Sequence, residues 1–474
     1  MRLDNIFDLL KQYIVIAGIG LLIALIVFII LYFLVYKRLL HGDKKVTIKH
    51  ILLFSISFIY IFILIGATFF NRETSFAEGI QPLFSSYRLA WHSWSAQAWR
   101  NIILNILLFT PLGFLLPLWN KKLNKIYIVL PCGIVLTILI ELAQYILKIG
   151  IFEFDDILNN TFGVLIGFTI LQIALNIYNK KINLKNTFIN SIPSFAFILI
   201  FIIIFSVYQI KPYGNLDSSY YVKQNMKNIT VTAGIDISDN AEEKQIYKAK
   251  EYSNDDIIRF AENLFGGAKA NINYDSIFIG EDVLNIDSTD NIYHFSFFLK
   301  TGEYNFHNET YFQTNSEQPS TSYSEKQVRE ALSKYSILVP DNCYFSISEN
   351  GSYQLTAKTE NYNKLIYNGT LYCTMFSDSV IGEIDNRMVE LSKCNSENII
   401  SENDAVSFIK KGKFSIDEKI PEYSEINISN IDLIYIQDSK NFYQPVYQID
   451  IDITSDNTTQ KSQVIVPCID NKLA

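Results

Sequence analysis

Six apolar runs decide what the first half of this chain can become. They lie at about 14–36, 50–70, 102–119, 126–147, 157–178 and 190–209, each near the length that crosses a bilayer. Hydrocarbon offers no partner for backbone N–H and C=O groups, so each run must satisfy them internally as a helix. The run at 102–119 is short and carries Pro111 and Pro117, but the charge pattern requires it as a span. Near residue 210 the sequence turns polar and acidic. The expected architecture is therefore a membrane all-α domain of six helices at 1–210, followed by an α+β extracytoplasmic domain at 211–474.

Lysine and arginine crowd alternate loops. Lys37, Arg38, Lys44, Lys45 and Lys49 follow the first run, Lys121, Lys122 and Lys125 the third, and Lys180, Lys181 and Lys185 the fifth. Positive loops stay cytoplasmic, so the odd-numbered runs pass from outside to inside. The N-terminus and the C-terminal domain of this multi-pass plasma-membrane protein are then expected outside the cytoplasm. The first run is too long for a secretion signal and lacks a small-residue cleavage site, so it reads as a retained helix.

The two halves also differ in charge. Residues 1–210 hold 17 Lys and Arg against 9 Asp and Glu, and the whole chain is −8, so the remainder carries about −16. That remainder is unsuited to nucleic acid and is repelled by an anionic membrane surface. It contains Cys343, Cys373, Cys394 and Cys468, whose spacing matches no zinc pattern. Disulfides and free thiols both stay open. Ser253-x-x-Asp256, Ser324-x-x-Gln327 and Ser401-x-x-Asp404 each fit a capping box before an amphipathic stretch, and β-patterned sequence follows each. Three tandem α+β units are expected.

Polar groups interrupt the apolar runs. Arg100, Asn101, Asn105, Glu141, Gln144, Asp155, Asp156, Asn159 and Asn160 lie in or beside them. Such groups at membrane depth are functional candidates by default. With a rise of about 1.5 Å per residue, Asn105, Glu141, Asp156 and Asn160 fall within roughly 10 Å of the outer surface. The 71–100 loop, with Gln81, Pro82, Arg88, Trp91, Trp94 and Trp99, suits an interface segment or lid above them. Asp156, Asn160, Gly163 and Gly167 share one helix face. Gly163 and Gly167 form a small-xxx-small pair that lets a neighbouring helix approach. Glu141 and Gln144 share a face of the fourth run, and Asn101 and Asn105 share a face of the third. The plainer alternative is that the amides bond helices together, that Asp155 is a solvated loop acid, and that Asp156 only caps a first turn.

Three motifs resemble the VanZ-like family of membrane proteins: Asn105-x5-Pro111-Leu-Gly113, Glu141-x2-Gln144, and Asp155-Asp156-x3-Asn160-x2-Gly163. The resemblance covers roughly residues 45–178. Where that family commonly has an arginine before the acidic loop, this chain has only Lys148, so Lys148 or Arg100 would have to take its part. The resemblance implies a role in resistance to lipid-tailed glycopeptides of the teicoplanin type. The last 70 or so residues, from ISENDAVSFIKKGKF to VIVP, resemble the PepSY/YycI type of extracytoplasmic module. That resemblance implies regulation or a protein partner at the outer face of a Gram-positive cell envelope.

Three functions follow as expectations. In the first, the polar cluster binds a membrane lipid, a lipid-linked wall precursor or the antibiotic's tail region, with Glu141 and Asp156 meeting polar or cationic groups and Arg100 an anion. In the second, the protein is a membrane enzyme on an outer-leaflet lipid or wall precursor, with Glu141 and Asp156 as catalytic acid and base. In the third, the chain is an envelope sensor working through its C-terminal domain. No HExxH, Walker loop or GxSxG occurs. The five histidines His41, His50, His92, His294 and His307 are scattered, so neither a metal nor a cofactor is expected.

Overall fold

The structure is a computed structural model. It describes residues 20–469 apart from 23–24, 27–28, 40, 42–45, 70–78, 179–183, 217–223, 281, 311–318, 349, 363–364, 377–379, 415–419 and 456–457. Lys44, Lys45, Lys180, Lys181, the start of the 71–100 loop and much of the first apolar run lie outside the described residues. The chain divides into two compact units, Met1–Pro212 and Tyr213–Ala474.

Among the described residues, five helices of the first unit are long and apolar enough to cross a membrane. They lie within α1 (Ile48–Phe69), α3 (Ala96–Trp119), α4 (Ile126–Ile146), α5 (Phe154–Tyr178) and α6 (Leu184–Ile210). Both prolines of the third run sit inside α3, which starts at its Ser95 cap, where the side chain accepts the Ala98 N–H at 3.1 Å. A short helix α2 (Ser85–Ser93) precedes α3. Strand β1 (Ile80–Gln81) pairs in parallel with β2 (Phe152–Glu153), just ahead of α5. Ile51, Leu52, Leu107, Leu139 and Ile203 point outward, as lipid-facing side chains do.

Glycine sets how the helices meet. A Cβ on Gly163 would overlap the carbonyl oxygen of Ile106, and one on Gly167 that of Thr110. The backbones of α3 and α5 therefore touch, with no room for a side chain between them. Residue numbers rise together along this seam, so the two helices run parallel. Gly133 and Thr137 of α4 meet Val164 and Asn160, so α4 runs antiparallel to α5. The bundle core of Tyr60, Leu64, Phe109, Val129, Ile140, Val164 and Phe168 closes beneath. Consequently the starts of α3 and α5 share one end of the bundle with the finish of α4.

Among the described residues, the second unit holds a 14-stranded sheet. The capping boxes of Ser253 and Ser401 close reciprocally with Asp256 and Asp404, starting α7 (Asn254–Gly267) and α9 (Glu402–Lys410). Before α8 (Glu325–Lys334), the Ser324 N–H donates to Gln327 Oε1 at 2.9 Å. Each helix is followed by a run of strands. The three blocks are not separate bodies, however, because their strands merge into one sheet. Helices α7 and α8 share a core around Phe265, Phe295, Phe306, Leu332 and Tyr353, while α9 packs on a second core around Ile426, Ile449, Ile451 and Val464. All five cysteines are free thiols. Cys373 and Cys468 are fully buried, and burial pushes the Cys373 thiol up to about 12.

Candidate functional site

Helix α5 is the hub of the polar end. Its first turn carries Asp155 and Asp156, where negative charge meets the positive end of the helix dipole. Asp155 is 1% exposed. Its carboxylate accepts the backbone N–H of Phe84 at 2.5 Å and of Ser86 at 2.7 Å. Phe84 has left-handed backbone, φ 69°, immediately ahead of α2. A left-handed residue followed by helix turns neighbouring N–H groups to one side and makes an anion-binding nest. Asp155 fills that nest and fastens α2 to the start of α5. The reading of Asp155 as a solvated loop acid is thereby corrected, for Asp155 is itself buried and accepts two backbone N–H groups.

The other acids are held by different elements. Asp156 accepts from Asn105 Nδ2 at 2.6 Å, joining α5 to α3. Glu141, 2% exposed on α4, accepts the Glu153 N–H of β2 at 3.2 Å. Ser86 Oγ reaches Glu153 Oε2 at 3.4 Å. Two amides tie helices together. Gln144 Nε2 donates to the Thr68 carbonyl of α1 at 2.8 Å, and Asn160 Nδ2 donates to Thr137 Oγ1 at 2.7 Å. For Gln144 and Asn160 the helix-bonding alternative therefore accounts for the geometry.

Asn159 behaves differently. The Tyr87 hydroxyl donates to its Oδ1. Burial raises the pKa of that hydroxyl, and the charges of Asp155 and Asp156 raise it further, so Tyr87 stays protonated. Asn159 is 1% exposed, yet its Nδ2 has no hydrogen-bond partner among the described residues. Leaving such a donor buried and unpaired costs about 1–3 kcal/mol. An acceptor oxygen from a bound molecule would remove that cost.

Arg100 is partly buried on α3, five residues before Asn105. Asn101 is exposed, unlike the rest of the cluster. Asn105 already meets the third residue of α5, so a residue one turn earlier on a parallel helix projects past the start of α5. Lys148 is exposed beyond the end of α4. The 79–95 segment covers the acidic end through Phe84, Ser86 and Tyr87. Its tryptophans pack on α6, with Trp94 stacked on Tyr208 at 3.5 Å between ring centroids. Sequence reasoning missed Tyr87, Thr137 and the Thr68 carbonyl. A lone hydroxyl in an apolar helix is a signal for Thr137, but a backbone acceptor leaves none.

The VanZ/LLP1 family model matches residues 21–175. No curated protein matches the chain. One solved structure, an uncharacterized protein from Eubacterium rectale ATCC 33656, is 13% identical. That match spans 52% of this chain and 90% of the other at a TM-score of 0.30.

Proposed function

We propose that this VanZ-like membrane protein binds the polar part of an amphiphile at the polar end of its helix bundle, on the outer leaflet, and so protects against lipid-tailed glycopeptides of the teicoplanin type. The observation that carries the reading is Asn159 Nδ2, a buried donor with no hydrogen-bond partner among the described residues, on the helix whose first turn carries Asp155 and Asp156. The acids favour binding over paired acid–base work. Glu141, Asp155 and Asp156 are each engaged by a different element, namely β2, the start of α2, and α3. A shared proton between two carboxylates is not what this arrangement is built for. The ligand class is a lipid-linked wall precursor or the tail region of the drug, with Arg100 meeting an anionic group. The outer-leaflet placement rests on the loop charges. The C-terminal unit, in this reading, recruits a protein partner.

The test is binding to the full chain in lipid nanodiscs, with teicoplanin compared against vancomycin. Teicoplanin should bind more tightly, and Asn159→Ala and Asp156→Asn should each weaken it about tenfold, equivalent to roughly 1.4 kcal/mol. Equal binding of both drugs, untouched by either substitution, would sink the reading.

A further inference from the structure

Two histidines thirteen positions apart in sequence become neighbours in the second unit. Strands β6 (Val283–Ser288), β7 (Tyr293–Phe298), β8 (Tyr304–Asn308) and β12 (Ile381–Asn386) are antiparallel neighbours. Their registers place Asp287 opposite His294, His294 opposite His307, and His307 opposite Glu383. Four titratable side chains thus form one row across four strands. The alternating residues Ile286, Phe295, Phe306 and Ile384 enter the core beneath α7 and α8. The row therefore lies on the opposite face of the sheet, away from those helices. The expectation that the histidines are scattered fails for this pair, because register was not visible in the sequence.

The details match a metal site. His294 Nδ1 lies 2.7 Å from Asp287 Oδ1. A carboxylate on one ring nitrogen fixes the tautomer and leaves Nε2 with its lone pair for a metal, the usual outer-shell arrangement of a ligating histidine. The His294 and His307 rings stack with centroids 5.0 Å apart. Glu309, just past the end of β8, has its Oε1 3.6 Å from His307 Nε2. Ligand atoms of His294, His307 and Glu309 all lie within 4.8 Å of one another. An ion with bonds of about 2.0–2.1 Å needs them roughly 3.3 Å apart, a distance side-chain rotation can close. Their side chains are 22%, 37% and 38% exposed, so an ion can enter and solvent can complete its coordination.

We propose that His294, His307 and Glu309 bind one divalent ion of the zinc class, with Asp287 positioning His294. Two imidazoles and a carboxylate select zinc over magnesium or calcium, which take oxygen ligands. The carboxylates of Asp287 and Glu383 add negative charge beside the dication. The site belongs to the sheet and does not depend on the membrane reading.

The test is Zn2+ titration of the full chain in detergent after chelator treatment, followed by calorimetry. One ion per chain should bind, and Mg2+ at equal concentration should not compete. His294→Ala and His307→Ala should each weaken binding at least about a hundredfold, and Asp287→Asn about tenfold. Far-UV circular dichroism checks that each variant is folded. If an alanine variant is not, the glutamine replacement at the same position is used. The proposal is overturned if the wild type binds no Zn2+, if Mg2+ competes equally, or if folded variants bind like the wild type, which would move the site to His41, His50 or His92.

Discussion

The acids of the helix bundle and those of the second unit are kept in opposite ways. At the bundle end, Asp155 and Glu141 are 1% and 2% exposed, and from other elements Asp155 accepts two backbone N–H groups and Glu141 one. In the second unit, Asp256 on α7 and Asp385 on the sheet keep contact with water, 50% and 24% exposed, and each has an arginine beside it, at 2.6 Å from Arg259 and 2.7 Å from Arg387. Taking a charge out of water costs several kcal/mol unless other groups replace the water. The bundle meets that cost by using its acids as connectors. The second unit avoids it. A buried acid is thus tied to tertiary structure, whereas an exposed one is replaceable.

The largest effect should come from the helix seam. Gly167→Leu places a side chain where the Thr110 carbonyl already sits, and should cost more than about 3 kcal/mol. Size-exclusion chromatography in detergent should show loss of the monodisperse peak. Gly266→Leu, in a helix of the second unit with open space around it, should leave the profile unchanged. Equal behaviour of the two would break the comparison at its base. Next comes Asp155→Ala. Removing the carboxylate leaves two partly buried N–H groups and a left-handed Phe84 unsupported, for about 2 kcal/mol. Limited proteolysis should then cut within 79–95, and resistance there would show that α2 is held by its aromatic packing alone. The smallest effect should be Ser401→Ala, which deletes one cap of α9 for about 1 kcal/mol. A shift in thermal midpoint as large as that of Asp155→Ala would show that the second unit is as tightly coupled as the bundle.

What the sequence showed, it showed through local physics. Apolar runs located the spanning helices, and Ser-x-x-Asp spacing located α7 and α9. Gly163 and Gly167 announced a close helix contact, though the sequence did not say that the neighbour would be α3. Most of the polar residues, Asn105, Glu141, Asp156 and Asn160 among them, come to the same end of the bundle. Asn101 departs because a shared helix face does not ensure a partner at that height. Long-range pairing was not legible. Strand β4 (Glu243–Ala249) lies between β13 (Val389–Asn398) and β15 (Phe442–Ser455), far from both in sequence. That insertion merges three apparent units into one sheet. The His294–His307 pair was hidden for a different reason: β7 and β8 form a hairpin, and the 299–303 turn that sets its register carries no simple signal of it.

The most direct measurement is glycopeptide susceptibility in a host lacking this protein, complemented at matched expression with wild type, Glu141→Gln, Asp156→Asn or a chain lacking 215–474. The account predicts that both isosteric changes remove protection against teicoplanin, leave vancomycin susceptibility unaltered, and act without the C-terminal unit. Full protection in both point variants, with loss only on deletion of 215–474, would contradict it and move the function to the sheet.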